Sequence, residues 1–403
     1  MLKAFKYKLI PNDEQTVLLN KHFGSIRFAY NYFLSERKAE YETNKATINY
    51  YDNCAALTLL KKEESFSWLK EINSQSLQHS IKALDNAYNN FFKKRSQFPN
   101  FKSKNGKNSF CVPQFVKLED NKLTIPKFKE PIKLILHRKF NGLIKQCTIS
   151  KTATNEYFVS ILVETTYNIV KPKTGLSVGI DLGIKDFAIT SDGYKYKNNR
   201  YTKKYAKKLK VAQKHLMKKV KGSNRYKDQK LKVARIYKKI TNSRKDNLHK
   251  VSTDLISKYD VIVLEDLNVK GMIKNHKLAK HISDASWSTF ITMLQYKASW
   301  NEKQIVQIGR WFPSSKTCNS CGYINQNLTL DVREWTCPNC GTVHDRDFNA
   351  ATNILLEGLK IISAGTVDYR HGDQIRPSSD GTICDVSKIQ EQIVPEANGL
   401  IRW

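Results

Sequence analysis

Cys318, Cys321, Cys337 and Cys340 constrain this chain more than any other residues in it. Two Cys-x-x-Cys pairs with fifteen residues between them can deliver four thiolates to one tetrahedral zinc, as a zinc ribbon does. Asp345-Arg346-Asp347-Phe348-Asn349-Ala350-Ala351-Thr352-Asn353-Ile354 follows at once, so the metal pattern abuts carboxylates at the head of a predicted helix. Four thiolates fill the coordination sphere and leave no open position for a reactive water, so this reading makes the zinc structural. His344, four residues past Cys340, is an alternative ligand that ranks below the four cysteines. Cys54, Cys111, Cys147 and Cys384 have no comparable spacing and read as small apolar residues.

Charge supplies the next bound. Against 68 Lys and Arg stand 37 Asp and Glu, a net charge of +31 over 403 residues. Such an excess destabilises a compact chain by self-repulsion unless a polyanion neutralises it, and nucleic acid is the natural polyanion. With 40% apolar residues the chain can fill a core, and its length accommodates two or three domains. No apolar run approaches a bilayer span, and Met1-Leu2-Lys3-Ala4-Phe5-Lys6 lacks a signal-peptide core, so no membrane partner is expected and the location expected is cytoplasmic and nucleoid-associated.

Phe5-Lys6-Tyr7-Lys8-Leu9-Ile10 alternates as a half-buried strand does, and Pro11-Asn12-Asp13 ends it and offers a helix cap. Leu18, Phe23, Ile26, Tyr30 and Phe33, then Leu77, Ile81, Leu84, Ala87, Tyr88 and Phe91, recur at helical spacing and predict a helical subdomain ending near Phe92. From Phe98 to about Glu164 the pattern turns to short β-rich runs, at 122–126, 132–136 and 157–163, which with the first strand can close a small barrel around the helical insert. Lys102, Lys104, Lys107, Lys117, Lys127 and Lys129 decorate it, as a nucleic-acid face or merely a solvated one.

Leu176 to Asp181 and Asp186 to Ile189 predict a hairpin with an acid on its first strand. That opening is shared by ribonuclease H-type folds, sugar kinases and actin-like ATPases. Residues 200–250 are the most basic segment, with two amphipathic helices broken at Gly222-Ser223-Asn224. Lys207, Lys208, Lys214, Lys218 and Lys219 on these helices are candidate phosphate contacts, because like charges at this density repel unless a phosphate backbone runs alongside. Val261-Ile262-Val263-Leu264 reads as a strand buried on both faces that ends on Glu265-Asp266, where functional groups of parallel sheets tend to lie. Trp287, Phe290, Ile291 and Leu294 mark a helix, Phe348 to Leu359 mark a last one, and the tail at 361–403 is expected to be irregular and without activity.

Asp181, Glu265 and Asp347 stand out as separated carboxylates of the type that holds magnesium, a hard cation that takes oxygen ligands and substrate phosphate. Two such ions can activate a water and stabilise a leaving 3′ oxygen in phosphodiester hydrolysis. Each acid taken alone has a structural explanation: Asp347 as an N-cap, Glu265 as an ion-pair partner.

Taken together, Gly179-Ile180-Asp181-Leu182-Gly183-Ile184-Lys185-Asp186-Phe187-Ala188, Leu264-Glu265-Asp266-Leu267, Phe312-Pro313-Ser314-Ser315-Lys316-Thr317-Cys318, Trp335-Thr336-Cys337-Pro338-Asn339-Cys340-Gly341 and Asp345-Arg346-Asp347-Phe348-Asn349-Ala350-Ala351 resemble the TnpB family. TnpB proteins are transposon-encoded RNA-guided DNA endonucleases related to type V CRISPR effectors. The resemblance also takes in Leu9-Ile10-Pro11-Asn12, Leu77-Gln78 and Asn89-Asn90-Phe91-Phe92, and covers all but the last forty or so residues. It implies a multidomain protein of α/β and α+β class. A wedge-type β-barrel (1–10 and 96–170) would carry a helical recognition insert (11–95). A RuvC-like, RNase H-type nuclease domain (174–315 and 343–360) would be interrupted by the zinc ribbon (316–342).

The resemblance further implies that Asp181, Glu265 and Asp347 are the catalytic, magnesium-binding acids, two ions being expected, with Asp345 a competitor for the third place. It matches Tyr50, Ser74 and Gln78 to positions that read a short motif beside the DNA target. The partners it implies are a guide RNA from the transposon end and double-stranded target DNA. The oligomeric state is left open by the sequence, one copy on its RNA being the expectation. Rival readings are a nuclease-inactive RNA-guided repressor, a DNA transposase using the same acids, and an actin-like ATPase.

Overall fold

The protein is described from a computed structural model, which covers residues 1–165, 170–329 and 331–365. Cys384 and nearly all of the tail expected to be irregular lie outside the described residues. The chain divides into two compact units, Met1–Asn168 and Ile169–Trp403.

The first unit opens with β1 (Leu2–Ile10), α1 (Asp13–Asn44), α2 (Tyr50–Leu60), a 3-10 helix (Glu64–Glu71) and α3 (Ser74–Phe92). It continues with β2 (Asn108–Val112), β3 (Lys117–Glu119), β4 (Lys122–Thr124), β5 (Ile132–Ile135), β6 (Leu143–Lys151) and β7 (Tyr157–Glu164). The strands form one seven-stranded sheet in the order β2-β6-β7-β1-β5-β4-β3, antiparallel throughout. The first strand is therefore central, hydrogen-bonded to β7 along its length and to β5 at its end, with Tyr7 and Leu9 buried. Alternation at period two puts these residues on one face and the lysines on the other.

Asn12 caps α1 as its position after Pro11 suggests. Its side chain accepts from the Gln15 amide at 2.8 Å while the Gln15 side chain accepts from the Asn12 amide at 3.1 Å, a capping box that satisfies two helix-end donors. Phe23, Ile26, Tyr30 and Phe33 of α1 meet Leu77, Ile81 and Leu84 of α3 in one core with the sheet. The Ser80 hydroxyl donates across this interface to the Ile26 carbonyl at 2.8 Å.

The second unit holds β8 (Ser177–Asp181), β9 (Asp186–Thr190), β10 (Lys195–Lys197), α4 (Tyr201–Met217), α5 (Asn224–Lys258), β11 (Val261–Glu265), α6 (Val269–Met272), α7 (Ala279–Ala285), α8 (Trp287–Trp300), β12 (Gln304–Ile308), β13 (Glu334–Thr336), β14 (Val343–Asp345) and α9 (Arg346–Ser363). Its main sheet runs β10-β9-β8-β11-β12, with β8, β11 and β12 mutually parallel in their pairings. Ile180 lies opposite Leu264, and Glu265 opposite Ile308, so Asp181, Glu265 and Ile308 finish at one edge of the sheet.

Both faces of this sheet are covered, which is why its strands read as continuous apolar runs. Val178, Ile180, Ile262 and Leu264 pack with α5 and α8; Val263, Val306 and Ile308 pack with Ile354 and Leu355 of α9. Two glycines permit the α9 contact. A Cβ on Gly179 would lie 2.1 Å from the Ala351 carbonyl oxygen, and one on Gly358 would lie 2.3 Å from a Val263 methyl. The Gly-Ile-Asp sequence is thus a helix seat followed by an acid.

The basic helices separate where the sequence breaks them, at 218–223, but α5 is longer than the segment 200–250 and runs to Lys258. The last helix extends to Ser363, four residues beyond the expected end and into the segment read as tail. Among the described residues no helix is long and apolar enough to cross a membrane.

Candidate active site

Asp181 is the last residue of β8 and Glu265 the last of β11, the neighbouring parallel strand. Asp347 lies in the first turn of α9, which crosses that sheet on its glycine seat. Burial pushes the Asp181 carboxyl up to about 7, and the charges of Glu265 and then Asp347 push it the same way, while Arg346 and Arg333 oppose them. The three carboxylates therefore share one electrostatic field. Burial also raises Glu265, against a 2.5 Å hydrogen bond that the Ser314 hydroxyl donates to its Oε1.

The two candidates for the third acid separate cleanly. Asp345 is the N-cap of α9, accepting from the Asp347 and Phe348 amides at 3.0 and 3.1 Å, and its other oxygen binds Lys195 at 2.9 Å. The capping role considered for Asp347 thus belongs to Asp345. The Asp347 carboxylate is free of that duty and instead receives Arg333 Nη1 at 3.0 and 2.7 Å, with Arg346 Nη2 at 3.2 Å. Neighbouring Asp266 binds Arg310 at 2.7 Å.

The four cysteine sulfurs lie within 4.8 Å of one another, with Cys318 to Cys340 at 3.7 Å and Cys321 to Cys337 at 3.6 Å. Four sulfurs each about 2.3 Å from one tetrahedral ion stand roughly 3.8 Å apart, so this set fits zinc. Hydrogen bonds from the Thr342 hydroxyl and amide pull the Cys340 thiol down to about 6, which favours the ligating thiolate. His344 is buried against Trp335, and its Nε2 is 3.0 Å from the Cys318 sulfur, so it flanks the cluster without belonging to the four-sulfur set. Of the other described cysteines, Cys111 and Cys147 are buried and Cys54 half-buried; all are unpaired thiols.

The cluster is not remote from the acids. Asn349 of α9 donates to the Thr317 carbonyl at 2.7 Å and accepts from the Asn319 amide at 3.0 Å. Asn353 donates to the Ser314 and Thr317 carbonyls at 2.8 and 2.6 Å. These carboxamides pin the base of the four-cysteine segment, which returns Ser314 to Glu265 and Arg333 to Asp347. Reading the cysteines as scaffold alone missed both contacts, since neither residue carries a ligand-type pattern in the sequence. The one available signal was Ser314 two residues after Phe312, beside the first cysteine pair.

The remaining candidates are dispersed. Lys207, Lys208, Lys214, Lys218 and Lys219 are all exposed along and just after α4. Ser74 and Gln78 lie one turn apart on the exposed side of α3, and Tyr50 opens α2, half-buried. The Lys61 ammonium donates to the Ser74 hydroxyl at 2.9 Å, a contact the sequence did not announce.

The fold is that of a Cas12f1 chain solved by cryo-EM as a Cas12f1-sgRNA-target DNA complex, with TM-score 0.54 and 15% identity, covering 85% of this chain and 83% of that one. Family profiles match at residues 160–276 ("Probable transposase", the OrfB_IS605 family), 287–354 (a Cas12f1-like TNB domain) and 1–46 (a helix-turn-helix domain). In this chain residues 1–46 hold β1 and the single long helix α1.

A Streptomyces pristinaespiralis protein is 38% identical over 97% of this chain and 96% of its own length. InsQ of Escherichia coli K12 is 32% identical over 90% of this chain and 94% of its own, and both are named "Putative RNA-guided DNA endonuclease". The chain belongs to the TnpB, or OrfB_IS605, family.

Proposed function

We propose that this protein is an RNA-guided DNA endonuclease whose single cleavage site is formed by Asp181, Glu265 and Asp347. The observation that carries the reading is the convergence of two carboxylates at neighbouring strand ends with a third on the first turn of α9, where burial and then the charges of Glu265 and Asp347 raise Asp181 to about 7. The names of its full-length relatives and the nucleic acids in the Cas12f1 complex support guide RNA and target DNA as the partners.

In this reading the three acids hold magnesium, two ions in number, and their oxygen-only donor set suits that metal. Magnesium, when bound, supplies activation of water and charge neutralisation at the phosphate. Ser314 fixes the Glu265 carboxylate by the hydroxyl it donates. Arg333 holds Asp347 and balances part of its charge. The Asp345 cap orients the first turn of α9 and so aims Asp347.

The first unit serves as the wedge-type barrel and recognition part, with Tyr50, Ser74 and Gln78 reading the target-adjacent motif. The second unit serves as the RuvC-like nuclease, with a zinc-bound ribbon at Cys318, Cys321, Cys337 and Cys340. Guide pairing supplies sequence specificity while protein lysines hold the heteroduplex by its phosphates.

Replacing Asp181, Glu265 or Asp347 singly by Ala should abolish guided cleavage and leave binding of guide RNA and target nearly unchanged, since each loses a metal ligand and no phosphate contact. A gel assay of cleavage beside a filter assay of binding decides this, and full cleavage by two of the three variants would refute the site. The persistence of all three acids speaks against the inactive-repressor reading.

A further inference from the structure

Trp311 is the most exposed large apolar residue among the described ones, 90% accessible, and it stands at the edge of the sheet where the acids gather. Ile308, level with Glu265, ends β12; the chain then turns through Gly309-Arg310-Trp311-Phe312, closed by the Phe312 amide on the Gly309 carbonyl at 3.1 Å. Neighbouring strands lie about 4.8 Å apart, which starts this turn one strand from Glu265 and two from Asp181.

Both flanks of the tryptophan are fixed. Arg310 is tied to the Asp266 carboxylate at 2.7 Å and to its carbonyl at 3.2 Å. On the other side Phe312 packs against the Ile308–Ile354 core, and Ser314 binds Glu265. The turn therefore presents its indole from a braced backbone. A large aromatic surface left in water is costly to keep unless something covers it in use.

We infer that Trp311 is a stacking platform for a base of the single DNA strand that enters the cleavage site, an inference that rests on the acids being that site. Each base has a π-face, so stacking on an indole accepts any sequence, as an enzyme whose specificity is delegated to a guide requires. Arg310, its neighbour in the turn and paired to Asp266, puts a cation where it suits the phosphates of the same strand. Stacking one base next to the scissile bond fixes the register of the strand, which is a contribution to positioning and not to the chemical step.

The test uses full-length protein with its guide RNA and target DNA, on an Asp181→Asn background in magnesium-free buffer, so that no cleavage intervenes. 2-Aminopurine is placed at successive positions of the displaced strand, where stacking quenches its fluorescence. Quenching at one or two adjacent positions is expected with Trp311, retained in Trp311→Phe and lost in Trp311→Ala. In the cleaving parent, Trp311→Ala should slow single-turnover cutting about tenfold at unchanged target affinity and melting temperature, with Phe restoring most of the rate.

Equal quenching in all three proteins, or none in any, overturns the platform. So does a loss of target affinity that Ala and Phe share, which would mark a folding residue. Failure of the unaltered complex to cut a guided target would instead sink the endonuclease reading, while the quenching pattern would still report on the stacking site.

Discussion

At the scale of single residues, Asp181 shows what burial beside two further acids does to a carboxyl group. An unfolded aspartate titrates near 3.8, and the folded one is pushed up to about 7, so the folded chain holds this proton more tightly than the unfolded chain does. The contribution of Asp181 to stability is thus most favourable below 3.8 and is lost as pH climbs from 3.8 to about 7. Asparagine cannot ionise. In magnesium-free buffer Asp181→Asn should be more stable than the parent at pH 8, by on the order of a few kcal/mol, and so melt higher, with the gap closing as pH falls toward 4. Melting curves from pH 4 to 8 check this, and a gap independent of pH would remove the shared field. That Asp181 and Glu265 close strands and that Asp347 stands at a helix head was legible in the sequence. Ser314 and Arg333 were not, because a hydroxyl and a guanidinium acquire meaning only when the chain brings them to a carboxylate.

At the scale of elements, the four-cysteine segment and α9 act together. The carboxamides of Asn349 and Asn353 hold the segment at its base, and the segment holds Arg333 on Asp347. A structural zinc contributes directly to folding, about 10 kcal/mol in small peptides, so its loss should release both tethers. Cys337→Ser is expected to lower bound zinc from one equivalent toward none and to abolish cleavage while guide binding persists; elemental analysis of the purified protein reads the first and a cleavage gel the second. The seat of α9 is equally sharp. Gly179→Ala would drive a methyl onto the Ala351 carbonyl, and since backbone must shift to admit it, a loss of roughly 1–3 kcal/mol is expected in urea denaturation. The strands of the second unit were readable because burial on both faces leaves unbroken apolar runs. β6 was not singled out in the first unit because its pairing with β7 shifts register between Ile144 and Gln146, which puts Leu143-Ile144 out of step with the buried Cys147 and Ile149.

For the molecule as a whole, the question is where a net charge of +31 is neutralised. The exposed lysines of α4 are one answer and the lysines between Lys102 and Lys129 another. If Lys207, Lys208, Lys214, Lys218 and Lys219 meet phosphates, each releases about one condensed counterion on binding, and replacing all five by Gln should flatten the slope of log affinity against log salt by a few units. The loss should be alike for different guide sequences, since phosphate contacts carry no base information. A merely solvated helix predicts the opposite pair of results: an unaltered slope, and a melting temperature that holds or rises as repulsion is relieved. Affinities of the five-fold variant for guide RNA, and for the guide paired to target DNA, measured across a salt series, separate the two. The paired state matters because a helix that touches only the heteroduplex would leave the RNA slope intact and change the second alone. An unaltered slope in both would shift the charge balance to the first unit, where Lys102 already lies 3.6 Å over the Tyr30 ring. Phosphate contacts would then fall to the other lysines of that stretch, Lys104, Lys107, Lys117, Lys127 and Lys129.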